Sequence, residues 1–421
     1  MPEIAIIGAT LSGNKGAASM LLSGVRNISN LVENPRFKVL SIYPQDDQKA
    51  NKDNRLEIVP AKPMALLIAV PLAFLWWLLA RLDLPPGPLR RNRVLAALER
   101  SELLIDMGGI SFSDGRGVVL AYNAACILPA LLLGKPVIKY SQAMGPFQNY
   151  LNRRLAKLLL PKMASIAARG EITLRYLQEL GLSNITLCAD AAFALDDAGT
   201  VDPSFDLEAK QIVQGLNHLA GKKILGIAAS SVVRARCRRQ GIDYCQILAD
   251  FADRLAASEE YAIWLIAHAV RRSKKGGRTS DVDTCQEIYG LMKNKEYCQL
   301  VIKDHTPDTL RAIIGHCDFF IASRFHAMVS ALATRVPTLV TAWSHKYREV
   351  LAMFNLESWA IGYQTLTTES LLAQFETLVE QESEFRARVA RHLPEVIQSS
   401  RQNALLVASL LGTMGTKEPE G

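Results

Sequence analysis

The sequence predicts an α/β chain of two Rossmann-like domains facing a central cleft. Three observations predict it. At 421 residues the chain is longer than one ordinary hydrophobic core serves, so two domains are expected. Short apolar runs alternate with helical patterns throughout, as in parallel sheets assembled from βα units. A polar stretch, Asp196 to Asp206 (DDAGTVDPSFD), divides these units into two series and has the composition of a linker. The expected boundaries are 1–195 for the first domain, 196–206 for the linker and 207–365 for the second domain. Residues 366–421 are expected to form helices that pack back on the first domain.

In the first series, strands are predicted at Glu3–Gly8, Phe37–Tyr43, Leu103–Met107, Pro136–Ser141, Ser165–Ala168 and Ile185–Cys188. Helical patterns lie between most of them, as at Asn152–Met163 and Thr173–Leu180. The second series gives strands at Lys223–Ala228, Ala262–Ala267, Gln299–Lys303, Phe319–Ala322 and Thr338–Thr341. Open parallel sheets bind ligands beyond the carboxyl ends of their strands, so residues just after strands are the candidates for chemistry.

The segment Met64 to Ala80 (MALLIAVPLAFLWWLLA) carries no charge and is followed by Arg81, Arg90, Arg91 and Arg93. As a helix it spans about 25 Å, short of a hydrocarbon core of roughly 30 Å. Pro71 would kink it. Spanning would also place the strands on either side of it across a membrane from each other, where they could not share a sheet. The Trp76-Trp77 pair and the trailing arginines suit a helix lying in the interface of an anionic leaflet; a buried core helix is the other reading. Residues 64–82 are therefore expected to attach the protein peripherally to the inner face of the cytoplasmic membrane.

A net charge of +7 favours anionic partners. Nucleic acid is not expected among them, because there is no zinc-finger spacing, RNP-like aromatic set or long basic helix. The seven cysteines form no C-x-x-C pair and read as reduced residues of a cytoplasmic protein. No metal-ligand spacing stands out among the dispersed histidines, and the chain enters a strand pattern at once, with no secretory signal.

Five strand ends are chemically loaded. GATLSGNKG, from Gly8 to Gly16, stands at a strand-to-helix turn but matches neither a P-loop nor the dinucleotide fingerprint. Its glycines, Gly13 with Asn14 among them, either permit a turn or bring backbone against a ligand at a helix N-terminus. DMGGISFSD, from Asp106 to Asp114, offers Gly108 and Gly109 for close approach and Asp114 for sugar hydroxyls, or else a turn alone. In SQAMGPF, Gln142 caps a strand before a forced turn. Arg169 ends another run, where a guanidinium fits bidentate capture of a carboxylate or phosphate. At Ser323-Arg324-Phe325-His326 a cation, an imidazole and a helix N-terminus converge, with Lys346 after the next strand (TLVTAWSHK). His268 ends a further strand and could face the same cleft. The arginines of RARCRR, from Arg234 to Arg239, are either a solvated loop or a lid over an anionic substrate.

Together these segments resemble the polysaccharide pyruvyl transferase family. The matching pieces are GNKGAASML, MGGISFSD, SQAMGPF, ARGEITLRYLQELGL, CADAAFAL and SRFHAMVSALATRVPTL, in the family's order. The last is the most specific, because the family carries an arginine, an apolar residue and a histidine here, leading into a helix. The resemblance implies a fold of glycosyltransferase-B type. It also implies that phosphoenolpyruvate, as donor substrate and with no further cofactor, gives a pyruvyl group to two hydroxyls of a saccharide, forming a cyclic ketal. In those terms Arg324, the Phe325 backbone and His326 hold the donor, and Arg169 holds its acid groups. The chain departs from the family at Gly170, where many members have an acidic residue, and at Arg335, where a small residue is usual.

The residue chemistry points the same way. A donor with a carboxylate and a phosphate needs cationic clamps, here Arg324, Arg169 and Lys346, and an acid for its methylene carbon. His326, with an ordinary pKa of about 6.5, suits the acid or a phosphate-stabilising donor. Gly13, Asn14, Gly108, Gly109, Asp114, Gln142 and His268 are the expected acceptor side, where a lipid-linked saccharide fits the membrane-interface segment. A nucleotide-sugar glycosyltransferase of the same architecture is the rival enzyme, and a non-catalytic membrane-associated protein is the rival of another class.

Overall fold

A computed structural model describes residues 1–115, 117–196, 203–214, 221–270 and 280–415. The chain divides into two compact units. The first comprises Met1–Ser12, Met20–Ala191 and Gln398–Gly421; the second comprises Gly13–Ser19 and Ala192–Ile397. Much of the predicted linker, 197–202, lies outside the described residues. The division differs from the predicted boundaries at three places. Residues 13–19, 192–195 and 366–397 join the second unit, leaving only the end of the chain with the first.

The first unit holds a seven-stranded parallel sheet of β1 (Glu3–Ile7), β2 (Arg36–Ser41), β3 (Leu56–Pro60), β4 (Leu103–Asp106), β5 (Val137–Gln142), β6 (Ser165–Arg169) and β7 (Ile185–Cys188). Their order is β3-β2-β1-β4-β5-β6-β7. β4 and β5 are buried along their whole length, and the charges they carry, Asp106 and Lys139, pair with each other at 2.6 Å. Right-handed crossovers put the helices that follow β3 to β6 on one face and those that follow β1 and β2 on the other. The order reverses between β1 and β4, and the loops leaving them press together: a Cβ on Gly8 would lie 2.6 Å from the Gly108 nitrogen. Asp47, fully buried, fixes the loop after β1 by accepting from Thr10 Oγ1 at 2.7 Å and the Ser12 amide at 2.8 Å. The last helix, Glu382–Gly415, binds the loop after β7 through Ser399 and Ser400, which meet the Ala189 amide and the Asp190 carbonyl at 2.9 and 2.8 Å.

The second unit carries six parallel strands, β8 (Lys223–Ala228), β9 (Tyr261–Ile266), β10 (Cys298–Val301), β11 (Phe319–Ala322), β12 (Thr338–Ala342) and β13 (Ala360–Gly362). Their order is β10-β9-β8-β11-β12-β13, reversing between β8 and β11. The helix Thr368–Glu380, expected on the first domain, seals this sheet instead. Phe375 packs edge-on against Phe251, Tyr261 and Phe319, with ring centroids 5.4 to 5.7 Å away. Two strands were not predicted, β3 and β13. Both are outermost in their sheets and only partly buried, so neither presents a continuous apolar run.

Candidate active site

The second unit's site grows from its switch point, where ligand crevices form in open parallel sheets. β11 ends at Ala322, Ser323 follows it, and Arg324 is the N-cap of the helix Phe325–Ala333. Every side chain of that helix is buried except the half-buried His326. An all-round apolar helix forms because it is enclosed, and its N-terminal amides end at the strand tip beside Arg324.

Arg324 is held rigidly. Its Nε donates to both oxygens of Asp281, at 3.0 and 2.8 Å, and its Nη2 donates to Ser231 Oγ at 3.0 Å and also to Asp281. Asp281 is fully buried and also accepts from the amides of Ser231 and Ala269, at 3.0 and 2.8 Å. Burial opposes the charge on Arg324, but the Asp281 carboxylate outweighs it and raises the guanidinium pKa above its ordinary value. One carboxylate thus ties together the loops after β8, β9 and β11.

His326 rests on Gly16. A Cβ there would sit 2.1 Å from the imidazole Nδ1 and 2.5 Å from Cγ, so the ring fills the space a side chain would take. Asn14 Oδ1 accepts from the Gly16 amide at 3.1 Å, and Asn14 forms an antiparallel bridge with Ala269. Gly13 accepts from the Val270 amide at 2.9 Å. Between these residues Lys15, almost fully buried, pairs with Asp304 at 2.5 Å. His268 lies buried among these groups. Burial first, then the charges of His326, Arg324 and Lys15, push its pKa well below 6.5 and hold it neutral.

Lys346 lies over the rings of Phe325 and Trp343, at 4.6 and 5.0 Å, and Arg236 lies over Trp343 at 4.5 Å. Phe325 is itself buried, edge-on to His326 at 5.0 Å. The second unit therefore brings together Gly13, Asn14, His268, Arg324, Phe325, His326 and Lys346.

Gly108, Gly109, Asp114, Gln142 and Arg169 belong to the first unit, and there the polar side chains expected to face a ligand are committed internally. Arg169 is only 2% exposed; it pairs with buried Asp190 at 2.6 Å and donates to the Gly109 carbonyl at 2.7 Å. A buried guanidinium needs a counter-charge, and β7 delivers one just past its end. Gln142 braces β4 and β5, accepting from Ser111 Oγ at 2.5 Å and donating to the Asp106 carbonyl at 2.7 Å. Asp114 accepts from the Gln148 and Asn149 amides and from Asn152 Nδ2, at 2.7, 3.0 and 2.8 Å, tying down the start of the helix Tyr150–Leu159. Gly108 donates its amide to Asp106 at 2.9 Å.

Sequence reasoning passed over Lys15 and Asp281. Lys15 was in view within GNKG, but it is one residue out of place for a P-loop. Asp281 follows a polar stretch with no periodicity to mark it.

The state of His268 has a measurable consequence. Its folded pKa is depressed, so below about pH 6.5 the unfolded chain binds a proton that the folded chain excludes. Stability is then lost as pH falls, by up to about 1.4 kcal/mol per pH unit. Thermal unfolding of a His268→Asn variant between about pH 7 and 5 is expected to show a flatter dependence than the wild type. His305, depressed chiefly by burial, contributes equally to both proteins. Parallel curves would count against a neutral His268.

A family model described as polysaccharide pyruvyl transferase matches residues 14–345. The amylovoran biosynthesis protein AmsJ of Erwinia amylovora is 20% identical over 296 residues, covering 70% of this chain and 69% of that protein. Among solved structures, the S. aureus MnaA–UDP co-structure superposes with a TM-score of 0.62 at 13% identity, covering 99% of both chains. The UDP-GlcNAc 2-epimerase from Neisseria meningitidis bound to UDP-GlcNAc gives 0.56 at 13% identity, over 98% of this chain and 100% of that one. At such identities the likeness shows the fold, two Rossmann-like α/β units of the glycosyltransferase-B type.

Proposed function

The chain belongs to the polysaccharide pyruvyl transferase family, and from that membership we propose that it transfers a pyruvyl group from phosphoenolpyruvate to two hydroxyls of a saccharide, releasing phosphate. The observation that carries the proposal is the set of cationic groups in the second unit. Arg324, Lys15 and His326 gather around a histidine held neutral, with Lys346 over Phe325 at the N-terminus of the helix Phe325–Ala333; Asp281 and Asp304 pair with Arg324 and Lys15 and orient them. A donor with a carboxylate and a phosphate matches that field.

The chemistry follows from the donor's enol. His326 gives a proton to the methylene carbon, and cationic character develops at the neighbouring carbon. One sugar hydroxyl bonds there and loses its proton. The carbon–oxygen bond to phosphate then breaks, and the second hydroxyl closes the ring. Of the two hydroxyl protons, one replaces the proton spent on the methyl group and the other leaves with phosphate. Arg324, fixed by Asp281, is pre-set for the donor's anionic groups, so no reorganisation accompanies charge movement. Arg169 acts as a positioning residue here, shaping the Gly108-Gly109 turn through the Gly109 carbonyl. The acceptor is a polysaccharide precursor, as amylovoran biosynthesis in the AmsJ relative suggests.

Calorimetry with phosphoenolpyruvate and with UDP tests the reading. Phosphoenolpyruvate is expected to bind, and incubation with lipid-linked saccharides is expected to add the mass of one pyruvate less one water. Binding of UDP without phosphoenolpyruvate would favour a nucleotide-sugar enzyme, and binding of neither a non-catalytic protein.

A further inference from the structure

We propose that the first unit docks on an anionic lipid bilayer through two helices, Pro63–Arg81 and Tyr150–Leu159. This inference stands apart from the transfer chemistry.

The helix Pro63–Arg81 is long and apolar enough to cross a membrane, yet only 17% of its most apolar stretch is buried. Its buried stripe, Leu66, Ala69, Ala73 and Trp76, has helical spacing and sits in the core it shares with the helix Gly117–Leu132. The opposite side bears Met64, Ile68 and Phe74, exposed by 67%, 50% and 53%. A helix facing water carries polar residues on that side. Contiguous apolar surface of this kind marks a binding face.

Crossing the bilayer is incompatible with the fold. β3 and β4, before and after this helix, lie in one parallel sheet. The helix therefore lies along the surface of the unit, with one flank seated and the other open.

Its rim is net cationic. Arg81 lies over the Trp77 ring at 4.7 Å and Arg90, paired with Glu99 at 2.6 Å, lies over Trp76 at 6.0 Å, while Arg91 and Arg93 are exposed nearby beside the exposed carboxylate of Asp83. Paired aromatic and basic groups of this kind settle at the headgroup level of a bilayer.

The second helix repeats the pattern. Tyr150–Leu159 exposes Leu151 and Leu158, by 67% and 60%, beside exposed Arg153, Arg154 and Lys157. Arg154 covers the Tyr150 ring at 4.5 Å. The helix Gly117–Leu132 touches both of these helices, and right-handed crossovers place all three on the same face of the sheet.

Charge decides the occupant. A second copy meeting this face across a two-fold axis would bring a second set of the same basic groups to it, without the negative charge to offset them. An anionic leaflet offers apolar depth and negative headgroups together.

Flotation with phosphatidylcholine vesicles and with vesicles containing phosphatidylglycerol tests this. The full chain is expected to float with the anionic vesicles. A Phe74→Glu/Leu78→Glu variant should lose at least about tenfold in vesicle affinity, from lost apolar burial. An Arg153→Glu/Arg154→Glu/Lys157→Glu variant should lose at least about tenfold on anionic vesicles only. Both should keep the wild-type melting temperature and phosphoenolpyruvate binding, since these side chains are exposed. Three results would overturn the proposal: wild type that stays unbound, variants that float as well as wild type, or a lipid-free dimer that Phe74→Glu/Leu78→Glu dissociates.

Discussion

Arg324→Ala is expected to lower turnover by about a hundred- to a thousand-fold, the scale of losing one pre-aimed electrostatic group. It should also destabilise the second unit. Asp281 has no exposure, and without Arg324 its charge would be left with two amide donors as its named partners. Removing one member of a buried ion pair costs about 3–5 kcal/mol. The two effects separate in an Arg324→Ala/Asp281→Asn protein, in which the orphaned charge is gone. That variant should regain much of the melting temperature and none of the turnover. Recovery of both would reduce Arg324 to a structural brace.

Gly16→Ala should be nearly as damaging to activity, for a steric reason. The added methyl would stand 2.1 Å from the His326 ring, well inside van der Waals contact, so the imidazole must move. A shift of about 1 Å at a reacting group costs up to roughly a hundredfold in rate. On helix propensity alone, the same change would stabilise the helix Lys15–Ser29 by about 1 kcal/mol. A fall in kcat without matching loss of stability therefore points to the ring. Gly290→Ala is the control, since a Cβ there meets nothing within 4 Å; it should leave kcat unchanged. Full activity in Gly16→Ala would mean that the position of His326 is not critical.

The parallel sheets were legible because buried strands such as Ile4–Ile7 and Phe319–Ala322 have to be apolar on both faces. Arg324 and His326 were legible because two polar, basic side chains cannot extend such a strand and so mark its end. What escaped depends on partners distant in sequence. Arg169 reads as a free clamp until Asp190 is seen beside it, and Gln142 reads as a ligand contact until Ser111 takes its oxygen. Lys15 was hidden in another way, since nothing in GNKG announces that this segment belongs with Asp304 and His326, about three hundred positions onward.

That membership bears on how the protein could be recombined with its relatives. An exchange of residues 192–397 as a cassette would import a foreign His326 and leave the resident Gly13–Ser19 in place. The ring and the glycine it rests on would then come from different parents. A working chimera needs three junctions in addition to the one near 191: at 12, 19 and 397, so that the seven-residue N-terminal insert travels with its own histidine.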